Sequence, residues 1–204
     1  MLTQDKLPVQ FQAVKDSDEE FLWVGEPLFI PFLVRGIPFL LFGLLWGAFD
    51  YFGFIRNMGR EMAGFAIPFF MIHLFPFYGG ILNMVRLVLV HKNTFYAITN
   101  KRVMMRSGFW GIDFKAIDYD KISDVEVNVN PVENFYKVGT IQFYSGRTNQ
   151  KGNPITDNFI AVQEPYEVFK KVKTVSVDIK TDWNYPNQLR PEQNPGYKTK
   201  YKQP

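Results

Sequence analysis

Two long apolar runs, close together in the first half of the chain, constrain its fold more than any other feature. Residues 36–55 read GIPFLLFGLLWGAFDYFGFI, 20 positions with one charge, Asp50. Residues 62–85 read MAGFAIPFFMIHLFPFYGGILNMV, 24 positions with no Asp, Glu, Lys or Arg. A helix rises 1.5 Å per residue, so about 20 residues cross a hydrocarbon core roughly 30 Å thick. Both runs are long enough. The first holds eleven Leu, Ile or Phe, each favouring insertion by roughly 0.3–0.6 kcal/mol. Together they offset one Asp, which costs about 3 kcal/mol at mid-helix and less toward an end. The alternative is a pair of buried core helices in a soluble protein, but such helices rarely lack a polar face for this long. The link Arg56–Glu61 allows only a tight turn. The runs therefore predict a two-helix transmembrane hairpin with both termini on one side.

Charge sets the expected orientation. Arg35, Arg86, Lys92, Lys101, Arg102 and Arg106 flank the side of the termini, against Arg56 and Arg60 in the hairpin turn. This asymmetry predicts a multi-pass protein of the inner or plasma membrane, with N- and C-termini in the cytoplasm. No secretory signal is visible, because the first apolar run follows an acidic stretch rather than a basic one. Residues 1–27 hold six acids (Asp5, Asp16, Asp18, Glu19, Glu20, Glu26) against Lys6 and Lys15, whereas residues 86–110 hold five Lys or Arg and no acid.

Within the hairpin, Pro38, Pro68 and Pro76 interrupt the runs, and proline removes a backbone donor. Gly43 and Gly47 make a GxxxG spacing, which lets helices approach closely. It serves either packing within the hairpin, or self-association and docking on another membrane protein. His73 is the one titratable group in the second run. It is either a functional intramembrane residue, with Asp50 as partner, or a neutral His bonded to a neighbouring carbonyl.

From about Asn93 the pattern changes to short alternating runs. Strands are predicted at Thr94–Thr99, Arg102–Ser107, Phe114–Tyr119, Ile122–Asn130, Gly139–Ser145 and Asn158–Val162. Turns fall at Asn100-Lys101, Asn130-Pro131, Ser145-Gly146 and Gly152-Asn153-Pro154. Pro165 then opens a helix whose Val168, Phe169, Val172 and Val175 form one apolar stripe. The expected class is α+β: the hairpin, then a small antiparallel β-sandwich or barrel closed by one C-terminal helix. The expected organisation is an acidic cytoplasmic segment (1–27), the hairpin (28–91), the sheet domain (92–178) and a tail (179–204). The 25 residues from Lys180 hold four Pro, three Asn, three Gln and five Lys or Arg. That composition predicts disorder, unless Trp183, Tyr185, Tyr197 and Tyr201 anchor a partner.

The second half resembles the bacterial pleckstrin-homology (PH) domain of membrane-anchored PH proteins. The matching pieces are YAITNKRVMMRSG (Tyr96–Gly108), IDYDKISDVEV (Ile117–Val127), VGTIQFYSG (Val138–Gly146) and FIAVQEPYEVFKKV (Phe159–Val172). The opening FLWVGEP (Phe21–Pro27) and the helix pair after it are also similar to the family. The resemblance implies a seven-stranded bent sheet capped by one helix, a binding or scaffolding role, and no catalytic residues.

The residues themselves offer little chemistry. There is no Cys, two His, and no P-loop, GxSxG, HExxH or GxGxxG. No enzyme activity, cofactor or metal is expected. Asp113, Asp118, Asp120 and Asp124 cluster but fail the calcium-loop pattern. A net charge of +3 gives no reason to expect nucleic acid. The basic run Lys101, Arg102, Arg106 is the remaining site. It serves as a contact for anionic lipid heads or a partner, at roughly 1 kcal/mol per basic group near an anionic leaflet, or it merely sets topology. The expected function is a membrane-anchored, non-enzymatic PH-like binding module at the cytoplasmic face. The alternative is an accessory subunit of a larger membrane complex, docked through its helices and tail.

Overall fold

The computed structural model describes residues 7–184. The chain divides into two compact units. One joins the residues up to Leu28 with those from Asn93 onward, and the other is Phe29–Lys92.

The first unit is built on two antiparallel sheets. Strands β1 (Phe21–Gly25), β2 (Phe95–Thr99), β3 (Arg102–Ser107) and β4 (Asp113–Asp118) form one in that order; β5 (Asp124–Asn128), β6 (Val138–Thr148) and β7 (Pro154–Gln163) form the other. The six strands predicted after residue 93 are all present, within a few residues at their ends. The seventh, β1, was not anticipated as a strand. It pairs along β2, with Phe21 opposite Thr99 and Gly25 opposite Tyr96. The acidic segment is therefore not a separate region before the hairpin. Its end supplies the outer strand of a sheet whose remaining strands begin 70 residues later.

Burial on both faces explains the composition of β2 and β3. On one face Tyr96, Ile98, Val103 and Met105 join the main core with Phe143, Phe159, Val168, Val172 and Val175. On the other, Ala97 and Met104 meet Leu7, Phe11, Phe21 and Val24. This second cluster exists because a short helix, α1 (Val9–Val14), covers the outer face of the sheet, with fully buried Phe11 edge-on to Phe114 at 5.0 Å. Strand side chains alternate faces, so a strand covered on both sides reads as continuously apolar.

Two smaller elements complete the domain. The Asn130-Pro131 turn becomes a single-turn helix, α6 (Pro131–Phe135). Asn130 Oδ1 accepts from Glu133 N–H, and Glu133 accepts from Asn130 N–H. This is a capping box, and the N-x-x-E spacing carried its signal. The closing helix, named α7 here, runs Pro165–Asn184. Its Val168, Val172 and Val175 are buried as the stripe predicted, and it continues six residues past the boundary placed at 178.

The second unit contains α2 (Phe29–Val34), α3 (Ile37–Gly53), α4 (Ala63–His73) and α5 (Phe75–Asn93). Pro38 lies in the first turn of α3, where no donor is lost, so it starts that helix rather than interrupting it. Among the described residues, one helical stretch, Ile37–Asn57, is long and apolar enough to cross a membrane by length and composition. The second run, expected to be interrupted by Pro68 and Pro76, is broken into two helices. It bends by 43° between α4 and α5, and the two pass the same test only as a pair. Pro76 is the physical cause: it cannot donate to the carbonyl four residues back and its ring crowds that carbonyl. Beside the break the carbonyl of His73 accepts a hydrogen bond from Trp46 Nε1 at 3.0 Å.

The glycines of α3 pack within this unit. A Cβ on Gly43 would stand 2.4 Å from the Pro76 carbonyl oxygen and 3.1 Å from Phe77 Cα. One on Gly47 would stand 2.9 Å from the Phe77 ring, and one on Gly80 would stand 3.1 Å from Leu40 Cα. Of the two roles open to the GxxxG pair, the helices meet through the one internal to the unit.

Candidate functional site

The acids of the N-terminal segment meet the basic run at the β2–β3 turn. Glu19, 1% exposed, accepts from Arg102 Nε at 3.1 Å and Nη2 at 2.9 Å, and from the Thr99 hydroxyl at 2.6 Å. It also accepts from the Asp16 backbone N–H at 3.0 Å. Lys101 Nζ reaches Asp18 at 2.6 Å and Asp16 at 3.2 Å, while Arg102 also reaches Asp16 at 3.1 Å. Asn100 fastens the same edge by accepting from Glu20 N–H and donating to the Asp18 carbonyl. Segment and turn come together because β1 pairs with β2, which brings residues 16–20 beside residues 99–102.

Burial pushes the Glu19 carboxyl up. The bonds from Arg102, Thr99 and Asp16 and the Arg102 charge outweigh it and hold the carboxyl below its ordinary value. The hydrogen bond to Asp18, against a smaller effect of burial, raises Lys101. The bond to Glu19 likewise raises Arg102. The sign for stability follows. A carboxyl depressed in the folded state contributes fully above its unfolded value of about 4.3, and the contribution is lost as pH falls through the lower folded value. Unfolding at pH 7 and pH 4 should therefore show the domain weaker at pH 4. Glu19→Gln should flatten that loss.

Arg106, the third basic residue, is also not a free surface cation. It is 8% exposed, lies over the Phe95 ring at 5.7 Å, and donates through Nη1 to the Asn93 carbonyl at 2.9 Å. A cation on the last carbonyls of a helix is favourable, so Arg106 caps α5. Of the residues expected to contact anionic lipid heads or a partner, Lys101 and Arg102 thus pair with acids 83 to 86 residues earlier in the chain, and Arg106 is buried against Asn93. The acids Asp120 and Asp124 pair with Lys121 and Lys173.

An apolar loop missed at the sequence level stands close by. Gly108 has φ +147°, and a Cβ there would lie 2.0 Å from the Gly111 carbonyl oxygen, so the β3–β4 connection folds back tightly. Its tip presents Phe109 and Trp110, stacked at 5.3 Å, and Ile112; Trp110 is 92% exposed. Asn93 Nδ2 donates to the Gly108 carbonyl at 3.1 Å, tying the loop to the residue where α5 ends. The signal was the FWGI composition of a turn, where polar residues are usual.

In the other unit, His73 and Asp50 are brought together as paired candidates. His73 Nδ1 stands 2.8 Å from Asp50 Oδ2, the Asp50 side chain is fully buried, and its Oδ1 has no hydrogen-bond partner among the described residues. They line a cavity of about 220 Å³ with Trp46, Phe49, Phe54, Phe69 and Phe70. Of the tail anchors, Trp183 falls in the last turn of α7, while Tyr185, Tyr197 and Tyr201 lie outside the described residues.

Comparison with known proteins bears on the fold. No curated protein matches this chain. A solved DUF1696 family protein with a pleckstrin-homology domain, from Shewanella loihica PV-4, aligns with a TM-score of 0.42 and 8% identity. The alignment covers 86% of this chain and 99% of that one. The assignment rests instead on the family model described as "Bacterial PH domain", which matches residues 30–178. That span is most of the chain and includes six of the seven strands and most of the capping helix. This chain therefore belongs to the bacterial PH domain family.

Proposed function

We propose that the chain is a membrane-anchored, non-enzymatic PH-like binding module, held at the cytoplasmic face by its α3–α5 hairpin. The observation that carries this is the surface of the helical unit. Leu45, Phe65 and Ile72 are each more than 70% exposed, and Phe49, Phe52, Ile67 and Met71 are more than 60% exposed. A soluble monomer rarely leaves so much contiguous apolar surface uncovered, and a bilayer covers it. The bent α4–α5 pair serves as the second span, its kink accommodated as membrane helices accommodate proline.

With no Cys in the chain, single-Cys labelling tests the arrangement directly. In intact cells, Asn57→Cys should react with an impermeant maleimide from outside, and Lys151→Cys only after the membrane is opened. Labelling of both from the same side overturns the hairpin. Labelling of Asn57→Cys from the cytoplasmic side alone overturns the orientation.

The binding edge in this proposal is the Phe109–Ile112 loop rather than the basic run. Trp110→Ala should change stability by less than about 0.5 kcal/mol, as for other exposed positions. A fluorophore on Trp110→Cys in proteoliposomes should be quenched by shallow brominated lipids, and one on Lys151→Cys should not. Equal behaviour at 110 and 151 removes lipid as the occupant of the loop and leaves a protein partner.

A further inference from the structure

The cavity at the α3–α4 junction is unlike a void left by imperfect packing. Asp50 contributes a carboxylate oxygen that is fully buried and unpartnered, while its other oxygen is held by His73. Leaving such an oxygen dry costs several kcal/mol. Around it stand the rings of Trp46, Phe49, Phe54, Phe69 and Phe70. Phe69 stacks on His73 at 4.9 Å and Trp46 lies tilted 5.2 Å from it, so two rings pack on the imidazole.

The occupant can be argued by elimination. The space, about 220 Å³, is larger than one water needs, and a buried water needs two to four polar partners. Two polar side chains among five aromatic rings cannot satisfy a filling of water. A hydrocarbon chain would fill the space and leave Oδ1 unpartnered. What matches both demands is an apolar body carrying a cationic donor. Aromatic faces attract cations within about 6 Å of the ring centroid, and an ammonium N–H supplies the missing hydrogen bond in its strong, charge-assisted form.

We infer that this cavity binds the primary ammonium group of a small alkylamine or of an amine-bearing lipid head. Asp50 Oδ1 accepts from the ammonium, and the rings of Trp46, Phe49, Phe54, Phe69 and Phe70 surround its carbon chain. His73 holds Asp50 through Oδ2 and turns Oδ1 to the ligand. The site goes beyond the binding module proposed above and does not depend on the orientation of the hairpin.

The test uses the full chain in detergent and follows the indole N–H of Trp46, which donates to the His73 carbonyl. Its ¹H–¹⁵N resonance is assigned by loss in Trp46→Phe. Titration with n-butylammonium chloride should move that resonance saturably, with at least tenfold tighter binding than neutral n-butanol. Asp50→Asn should abolish the difference between the two ligands. Phe69→Leu, which keeps the carboxylate, should weaken butylammonium at least threefold. Equal responses to butylammonium and butanol in the wild-type chain overturn the inference, as does no response to either, whatever the variants do. Nanodiscs then separate the sources. Prior saturation in a bilayer of aminoethyl-headed lipid, but not in one of glycerol-headed lipid, assigns the site to lipid heads, and an unsaturated site in both assigns it to free amines. Failure here with correct cysteine labelling removes only the ammonium site.

Discussion

Glu19→Ala is expected to destabilise the PH-like domain by about 3–5 kcal/mol, the usual cost of removing one partner from a buried ion pair. Glu19 is 1% exposed and occupied on both oxygens. Its loss leaves Arg102 without its nearest counter-charge and removes the shorter of the two acceptors of the Thr99 hydroxyl. A domain of this size has about 5–15 kcal/mol of stability in all, so the variant should unfold at a visibly lower denaturant concentration. Arg102→Met removes the cation, which after the loss of Glu19 still pairs with Asp16, and the double variant should recover part of the loss. Equal stability of Glu19→Ala and wild type by denaturant titration would show that the pair is screened and unimportant. Losses that simply add in the double variant would show that the two groups are not coupled.

Gly43→Leu should damage the helical unit to a similar degree, by about 3 kcal/mol. The Cβ would stand 2.4 Å from a backbone oxygen and 3.1 Å from a backbone carbon of α5. Neither atom can swing aside as a side chain can, so the helices must separate, and overpacking of this kind costs typically 1–3 kcal/mol and occasionally more. Gly47→Leu meets the Phe77 ring, which can turn, and should cost less. Gly53→Leu meets nothing within 4 Å and should be neutral. Thermal unfolding of the three variants in detergent checks the order. If Gly53→Leu proves as harmful as Gly43→Leu, close helix approach is not what the glycines provide.

Sequence and structure agree where the signal is periodic. The alternation of Arg102–Ser107 and the valine spacing of the closing helix are both properties of a segment by itself. They were legible because side-chain direction follows from local backbone geometry alone. Strand β1 was not legible. FLWVG is five residues long, follows an acidic stretch and precedes an apolar run, and nothing near it in the chain completes a sheet. Its partner is β2, which follows in the chain only after the whole helical unit.

The candidate site shows the same division more sharply. The composition already separated an acid-rich segment before residue 27 from a base-rich one after residue 86. From that contrast the base-rich run looked open to an external anion. The pairing of β1 with β2 supplies the anion from within the chain and turns a candidate docking patch into a structural latch. Asp50 and His73 were likewise visible as the odd polar residues of their runs. Only the fold shows that they touch, that one carboxylate oxygen is left over, and that aromatic rings close around it.

What the sequence determined by itself was the identity of the segments: which are apolar and helical, which alternate, and where proline and glycine stand. Each of these depends on residues a few positions apart. What the tertiary structure decided was which segments neutralise, cover or expose one another. Charge, burial and unpaired donors depend on distance through space, and in the latch and the helix cap of this chain the groups that settle them lie between 13 and 86 residues apart.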